Sequence, residues 1–161
     1  MSATSPGLKP AKITIPVLPK PSIPFVAVVP PSLILQGWRV SPISATKPDA
    51  NQELAANDQN SWAPTRAGQL QNLTNGKFVV YRTSFTPFAD QQKVGGQLLL
   101  KRVTGKAEVY LDKKLIATKT NAAAADLKVI IPPGNGERTL SVLIESETGQ
   151  RAGFGGIVTV Q

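Results

Sequence analysis

The sequence predicts an all-β protein, an antiparallel β-sandwich of jelly-roll type. Three observations predict it. From Phe78 to Lys119 the chain runs through four consecutive segments rich in β-branched and aromatic residues. One of them, Ala107 to Asp112, alternates strictly, with Ala107, Val109 and Leu111 on one side and Glu108, Tyr110 and Asp112 on the other, as a strand with one buried and one wet face requires. Turn residues then recur every eight to twelve positions, and no stretch carries a confident helical period.

Within the central block, Phe78 to Thr86 reads as a strand stopped by Pro87, Gln97 to Val103 as the next, and Lys114 to Lys119 as the return arm of a hairpin from Ala107 to Asp112. Before it, Leu33 to Val40 is the first strand, Ser41 to Ser61 a polar loop with room for a helical turn near Gln52 to Ala56, and Thr65 to Lys77 a second loop closed by Asn75-Gly76. After it come strands at Leu127 to Ile131, Arg138 to Ser146 and Gly153 to Val160, separated by Pro132-Pro133-Gly134 and by a turn from Glu147 to Arg151. About eight strands result, without an internal repeat.

The first 32 residues are different. They hold Pro6, Pro10, Pro16, Pro19, Pro21, Pro24, Pro30 and Pro31, eight of the fourteen prolines. Proline removes a donor and fixes φ, so neither a helix nor a central strand survives that spacing. Residues 1–32 are therefore expected to be an extended, linker-like tail, and 33–161 the domain. The tail also carries Ile13, Ile15, Val17, Phe25 and Val28, enough apolar surface to lie along a neighbour.

Composition excludes several chemistries. There is no cysteine and no histidine, which removes disulfides, thiolate metal sites and the commonest general base. Ten carboxylates remain for acid–base work. The loop acids Asp49, Asp58 and Asp90 show no Asp-x-Asp spacing that would favour calcium, and nothing points to a cofactor. The net charge of +8 is scattered along the chain, with Lys101-Arg102 and Lys113-Lys114 as the densest pairs. That is the pattern of a solvated surface more than of a nucleic-acid face. The apolar run from Ile23 to Leu35 is broken by Pro24, Pro30 and Pro31 and is too short to span a membrane. It does not have the order of a signal peptide. The compartment stays open: cytoplasmic, or periplasmic or secreted where a signal precedes the chain.

A series of marks in order resembles the sugar-binding jelly-roll domain of β-galactosidases and related glycoside hydrolases of families 2 and 35, which has a galactose-binding-like fold. The marks are Gly37-Trp38-Arg39-Val40-Ser41-Pro42, then Asp58 with Trp62 and Pro64, then Tyr81-Arg82-Thr83-Ser84-Phe85-Thr86-Pro87, then Val109-Tyr110-Leu111-Asp112-Lys113-Lys114, and Gly136 through Thr139 to Leu140-Ser141-Val142. They cover residues 33 to 161. Two departures matter. Asp112-Lys113 stands where the family has Asn-Gly in its hairpin, and Ala63-Pro64-Thr65-Arg66 stands where many members have Pro-His-Asp-Trp. The resemblance implies a non-catalytic accessory domain, at a distance from any catalytic pocket, whose partners are a galactoside-type glycan and the neighbouring domains of a parent enzyme.

On that reading the candidate glycan contacts are Trp62, Asp58, Asn60 and Arg66 around the polar loop, with Tyr110 on the wet sheet face. Trp62, as a loop aromatic, would stack on a sugar ring, and its truncation would leave stability nearly unchanged. Trp38 reads as core because its strand is apolar. Arg82 reads either as a sugar ligand or as a structural arginine bonding loop carbonyls. Two other functions stay open: a structural spacer that packs on neighbouring domains without binding glycan, and a basic sandwich that binds a polyanion.

Overall fold

The computed structural model describes residues 2–3, 6–7, 9, 11–12, 14–16, 31–52, 62–74, 77–146 and 150–161. The strands are β1 (Ser2–Ala3), β2 (Ala11–Lys12), β3 (Leu33–Ile34), β4 (Trp38–Val40), β5 (Ala63–Thr65), β6 (Leu70–Asn72) and β7 (Phe78–Phe85), followed by helix α1 (Ala89–Val94). Then come β8 (Gly96–Thr104), β9 (Lys106–Leu111), β10 (Lys114–Lys119), β11 (Ala125–Ile131), β12 (Arg138–Glu145), β13 (Arg151–Phe154) and β14 (Val158–Val160).

Two antiparallel sheets face each other. The first runs β10-β9-β12-β7-β4-β5. The second is built on β8, the longest strand: β11 lies along one edge, while β14 and β13 lie end to end along the other and carry β3 and β6 outside them. The middle of the first sheet is the β7–β12 pair, in register from Arg138 opposite Phe85 to Glu145 opposite Phe78.

The core forms where the inward parities meet. Val79, Tyr81 and Phe85 of β7, Val109 and Leu111 of β9, and Leu140, Val142 and Ile144 of β12 pack against Leu98, Leu100, Val129, Phe154, Val158 and Val160 of the second sheet. Phe154 is the junction. Its ring centroid lies 5.0 Å from that of Trp38 in an edge contact and 4.6 Å from that of Tyr81. The Tyr81 hydroxyl donates to the Ala152 carbonyl at 3.3 Å, so its one polar atom is satisfied in the interior. Gly153 makes this possible: its φ is +129°, and a Cβ there would collide with the Tyr81 hydroxyl.

The expected first strand, Leu33 to Val40, is in fact two. Gly37, at φ +67°, turns the chain, so that β3 pairs with β14 in the second sheet and β4 with β7 in the first. Two hydrogen bonds hold the bend: Trp38 Nε1 donates to Leu35 O at 3.1 Å and Thr83 Oγ1 to Gln36 O at 2.6 Å. The expected loop from Thr65 to Lys77 includes β6, and β5 precedes it. Both are three residues long, too short for alternation to register, and Pro64 is tolerated because β5 is an edge strand. The final strand likewise divides into β13 and β14, which pair with different stretches of β8.

Helix α1 was not expected. It is one and a half turns after Pro87, with Gln91 Oε1 accepting from Phe88 N at 3.0 Å and Gly95 N closing on Gln91 O at 2.8 Å. The tail is proline-rich but not wholly irregular, since β1 pairs with β2. The helical turn expected near 52–56 and the Asn75-Gly76 turn fall largely or wholly outside the described residues.

Candidate functional site

The outward parity of the first sheet carries the candidate site. A sandwich sheet normally turns polar residues outward, yet Phe78, Val80 and Leu143 all face outward here and are buried. They pack with Ala50 and Trp62 as a second apolar cluster, against which Tyr110 also rests. The chain after β4 folds back over the sheet and covers this half. Ser41 fastens it, with its N–H donating to Val80 O at 2.8 Å and its Oγ accepting from Val80 N at 2.9 Å. Further along, Ser44 bridges to Phe78. This explains why Phe78-Val79-Val80-Tyr81 reads as an unbroken apolar run: the strand is covered on both faces.

Toward the other end of the same strands the outward residues turn polar. Arg82 lies opposite Ser141, and one step along Ser84 lies opposite Thr139. Arg39 of β4 lies opposite Arg82 on the far side. These residues floor a cleft of about 690 Å³, whose rim includes Gln36, Gly37, Asn51, Gln52, Trp62, Asp112 and Lys113.

Arg82 ties floor to rim. Its Nε donates to Ser141 Oγ at 3.0 Å, Nη1 to Gln52 O at 3.0 Å and Nη2 to Ala50 O at 2.7 Å. The guanidinium lies 4.8 Å from the Trp62 ring centroid, and the Trp62 carbonyl accepts from Arg39 Nη1 at 3.1 Å. Partial burial pulls the Arg82 pKa below its ordinary value, opposed by the charge of Asp49. Arg82 thus bonds loop carbonyls, as a structural arginine would, and two of its five N–H groups remain.

The acid on the rim is also engaged. Asp112 and Lys113 form a two-residue hairpin with φ of +50° and +69°, so the tight turn survives without Asn-Gly. Asp112 Oδ2 accepts from Arg138 Nε at 2.7 Å, and Oδ1 from Thr139 N at 2.9 Å.

Of the described residues expected to bind glycan, Trp62, Arg66 and Tyr110, only Trp62 is in the cleft lining. Trp62 is on the cleft rim, but it is 8 % exposed and belongs to the apolar cluster, which corrects the expectation of a presented loop aromatic. Packing with Ala50, Phe78, Val80 and Leu143 is what buries it. Arg66 is exposed in an adjoining groove with Ile34, Pro64 and Ile157, outside the cleft lining. Tyr110 lies opposite Ser141 and rests on the apolar cluster, but it is not in the cleft lining; its hydroxyl donates to Glu108 Oε2 at 2.6 Å while Lys47 Nζ holds Oε1 at 2.7 Å. Burial, followed by the Glu108 contact, pushes the Tyr110 pKa up to about 12, and the Lys47 and Tyr110 hydrogen bonds hold Glu108 below its usual range. Asp58 and Asn60 lie outside the described residues.

Sequence reading missed Ser84, Thr139, Ser141 and the carboxamides of Asn51 and Gln52. A signal existed: Arg82-x-Ser84 and Thr139-x-Ser141 place polar groups at the outward positions of two central strands. Among the described residues no group of three carboxylates could hold a metal ion, and no helix is long and apolar enough to cross a membrane.

No family model matches the sequence, and no curated protein matches it. Solved structures do. The fold matches a domain-sized part of family 2 glycoside hydrolases. A family 2 member from Bacteroides cellulosilyticus superposes with a TM-score of 0.61 at 13 % identity, over 81 % of this chain and 20 % of that one. A β-D-mannosidase from Dictyoglomus thermophilum gives 0.58 at 13 % identity, over 81 % and 22 %. A Bifidobacterium dentium β-glucuronidase gives 0.58 at 16 % identity, over 75 % and 21 %. The matched part is thus about a fifth of each enzyme's length, and at these identities the likeness is one of fold.

Proposed function

We propose that this chain is a non-catalytic accessory domain of a glycoside hydrolase, contacting glycan through the cleft on the outer face of its first sheet. The observation that carries the reading is the cleft itself, a polar recess of about 690 Å³ on a sandwich whose fold recurs inside glycosidases. Its floor is set on the rigid β7–β12 pair, and its size suits a small polar ligand. Asp112 is the one carboxylate among the described lining residues and it is paired with Arg138, so those residues offer no acid pair for glycoside hydrolysis. A β-galactosidase is the narrower parent that the sequence resemblance implies. The solved neighbours carry several glycosidase names, among them β-D-mannosidase, β-galacturonidase and β-glucuronidase.

Titration calorimetry of the chain against a panel of neutral and acidic oligosaccharides tests this reading. Binding of any of them that is lost when Ser84 or Thr139 is replaced by a bulky residue supports it. A folded chain that binds none overturns it in favour of the spacer. The spacer reading has its own support, namely that Trp62 packs inward instead of offering a stacking face.

A further inference from the structure

We infer that the outer-face cleft takes the carboxylate of an acidic sugar, with Arg82 supplying the charge and Ser84, Thr139 and Ser141 supplying hydroxyl donors. This rests on the accessory-domain reading and narrows it to a ligand class. A guanidinium has five N–H groups, and Arg82 spends three on Ser141, Gln52 and Ala50. All three partners are uncharged, and among the described residues no carboxylate forms an ion pair with Arg82; Asp49 acts on it only through its charge. Its charge is half-buried at the cleft floor, where an anion would interact strongly with it.

The hydroxyls add to this. Ser141 Oγ accepts from Arg82 Nε, so its own proton is directed elsewhere. Ser84 and Thr139 are exposed and face each other across the strands one step away. Two cross-strand pairs one step apart span roughly 5 by 7 Å, about the footprint of one pyranose ring. The charge of Asp112 on the rim is matched by Arg138, whose Nε lies 2.7 Å from Oδ2. A neutral sugar hydroxyl needs donors and acceptors in mixture. A carboxylate only accepts, so it can use the two remaining Arg82 N–H groups, and each of the floor hydroxyls can turn its one proton toward it. The net charge of +8 adds long-range attraction for an acidic glycan.

Calorimetry with the full 161-residue chain tests the inference, using trigalacturonate, its methyl ester and neutral galactotriose at low salt. The expected result is binding of trigalacturonate, with the ester and the neutral sugar weaker by about tenfold or more. Ser84→Glu, an exposed change that sets a like charge on the floor, should remove the binding at an unchanged melting temperature. Arg82→Lys should weaken it by about tenfold. Lys128→Gln, on β11 of the opposite sheet, should leave it intact. Equal binding of all three sugars would overturn the acidic preference and leave the accessory-domain reading standing. No binding of any of them by the folded chain would overturn both. Equal losses from Lys128→Gln and Ser84→Glu would mean diffuse attraction and would overturn the site.

Discussion

Trp62 shows how one residue's role turns on what covers it. Its indole lies under Arg82 and against Ala50, Phe78, Val80 and Leu143, while its carbonyl receives Arg39. Trp62→Ala should therefore destabilise the protein by about 3 kcal/mol, as a buried aromatic truncation does. A urea midpoint unchanged from the parent chain would show that the cluster adds nothing to the fold. The Tyr110–Glu108–Lys47 chain makes a pH prediction. Glu108 is held below its ordinary pKa, so its contribution is present above about pH 4.3 and fades as pH falls through the folded value. Tyr110 is raised to about 12, so its contribution is present below about pH 10 and is lost as pH climbs from there towards 12. Tyr81 is raised as well, by burial. Tyrosinate absorbance should accordingly stay low until well above pH 10. A normal titration near 10 would show that both phenols are open to water.

At the scale of elements, the β9–β10 hairpin depends on Asp112 twice. Asp112 takes the left-handed backbone that a primed turn needs, and it bonds both the Arg138 side chain and the Thr139 N–H. Asp112→Ala should cost about 2 kcal/mol, because it loses the turn preference and two hydrogen bonds to the carboxylate, one from a backbone N–H and one from a guanidinium. Asp112→Asn keeps the backbone preference and one acceptor and should cost about half as much. Equal losses in chemical denaturation would mean that the backbone conformation contributes nothing. Strand β3 is only Leu33–Ile34, paired with β14, and it is the first strand of the second sheet. A chain beginning at Pro31 should fold with a near-native circular dichroism spectrum. Failure to fold would make the proline-rich stretch part of the core.

For the molecule as a whole, the arrangement of acids bears on activity. The described acids mostly serve in ion pairs: Glu108 with Lys47, Asp126 with Lys101, Glu145 with Lys77 and Lys106, and Asp112 with Arg138. Glycosidases need two carboxyls about 5–10 Å apart flanking the bond, one of them kept protonated. The pure chain should not hydrolyse chromogenic galactosides, glucuronides or mannosides. Turnover that disappears when two neighbouring acids are replaced would refute the accessory reading.

The sequence by itself determined the all-β class, most of the long strands and their inward faces. Period-two patterning is local, and residues such as Val109, Leu111, Leu140 and Val142 carry it whatever the rest of the chain does. Trp38 was legible as core for the same reason. Only the tertiary structure decided that Gly37 sends β3 and β4 to different sheets, that three-residue strands form on the edges, and that the segment after β4 closes over an outward sheet face. Those outcomes depend on where distant segments return, and alternation does not record which face a returning segment will cover. The same closure buries Trp62, leaves Arg66 in a separate groove, and brings Arg82, Ser84, Thr139 and Ser141 to the floor of one cleft.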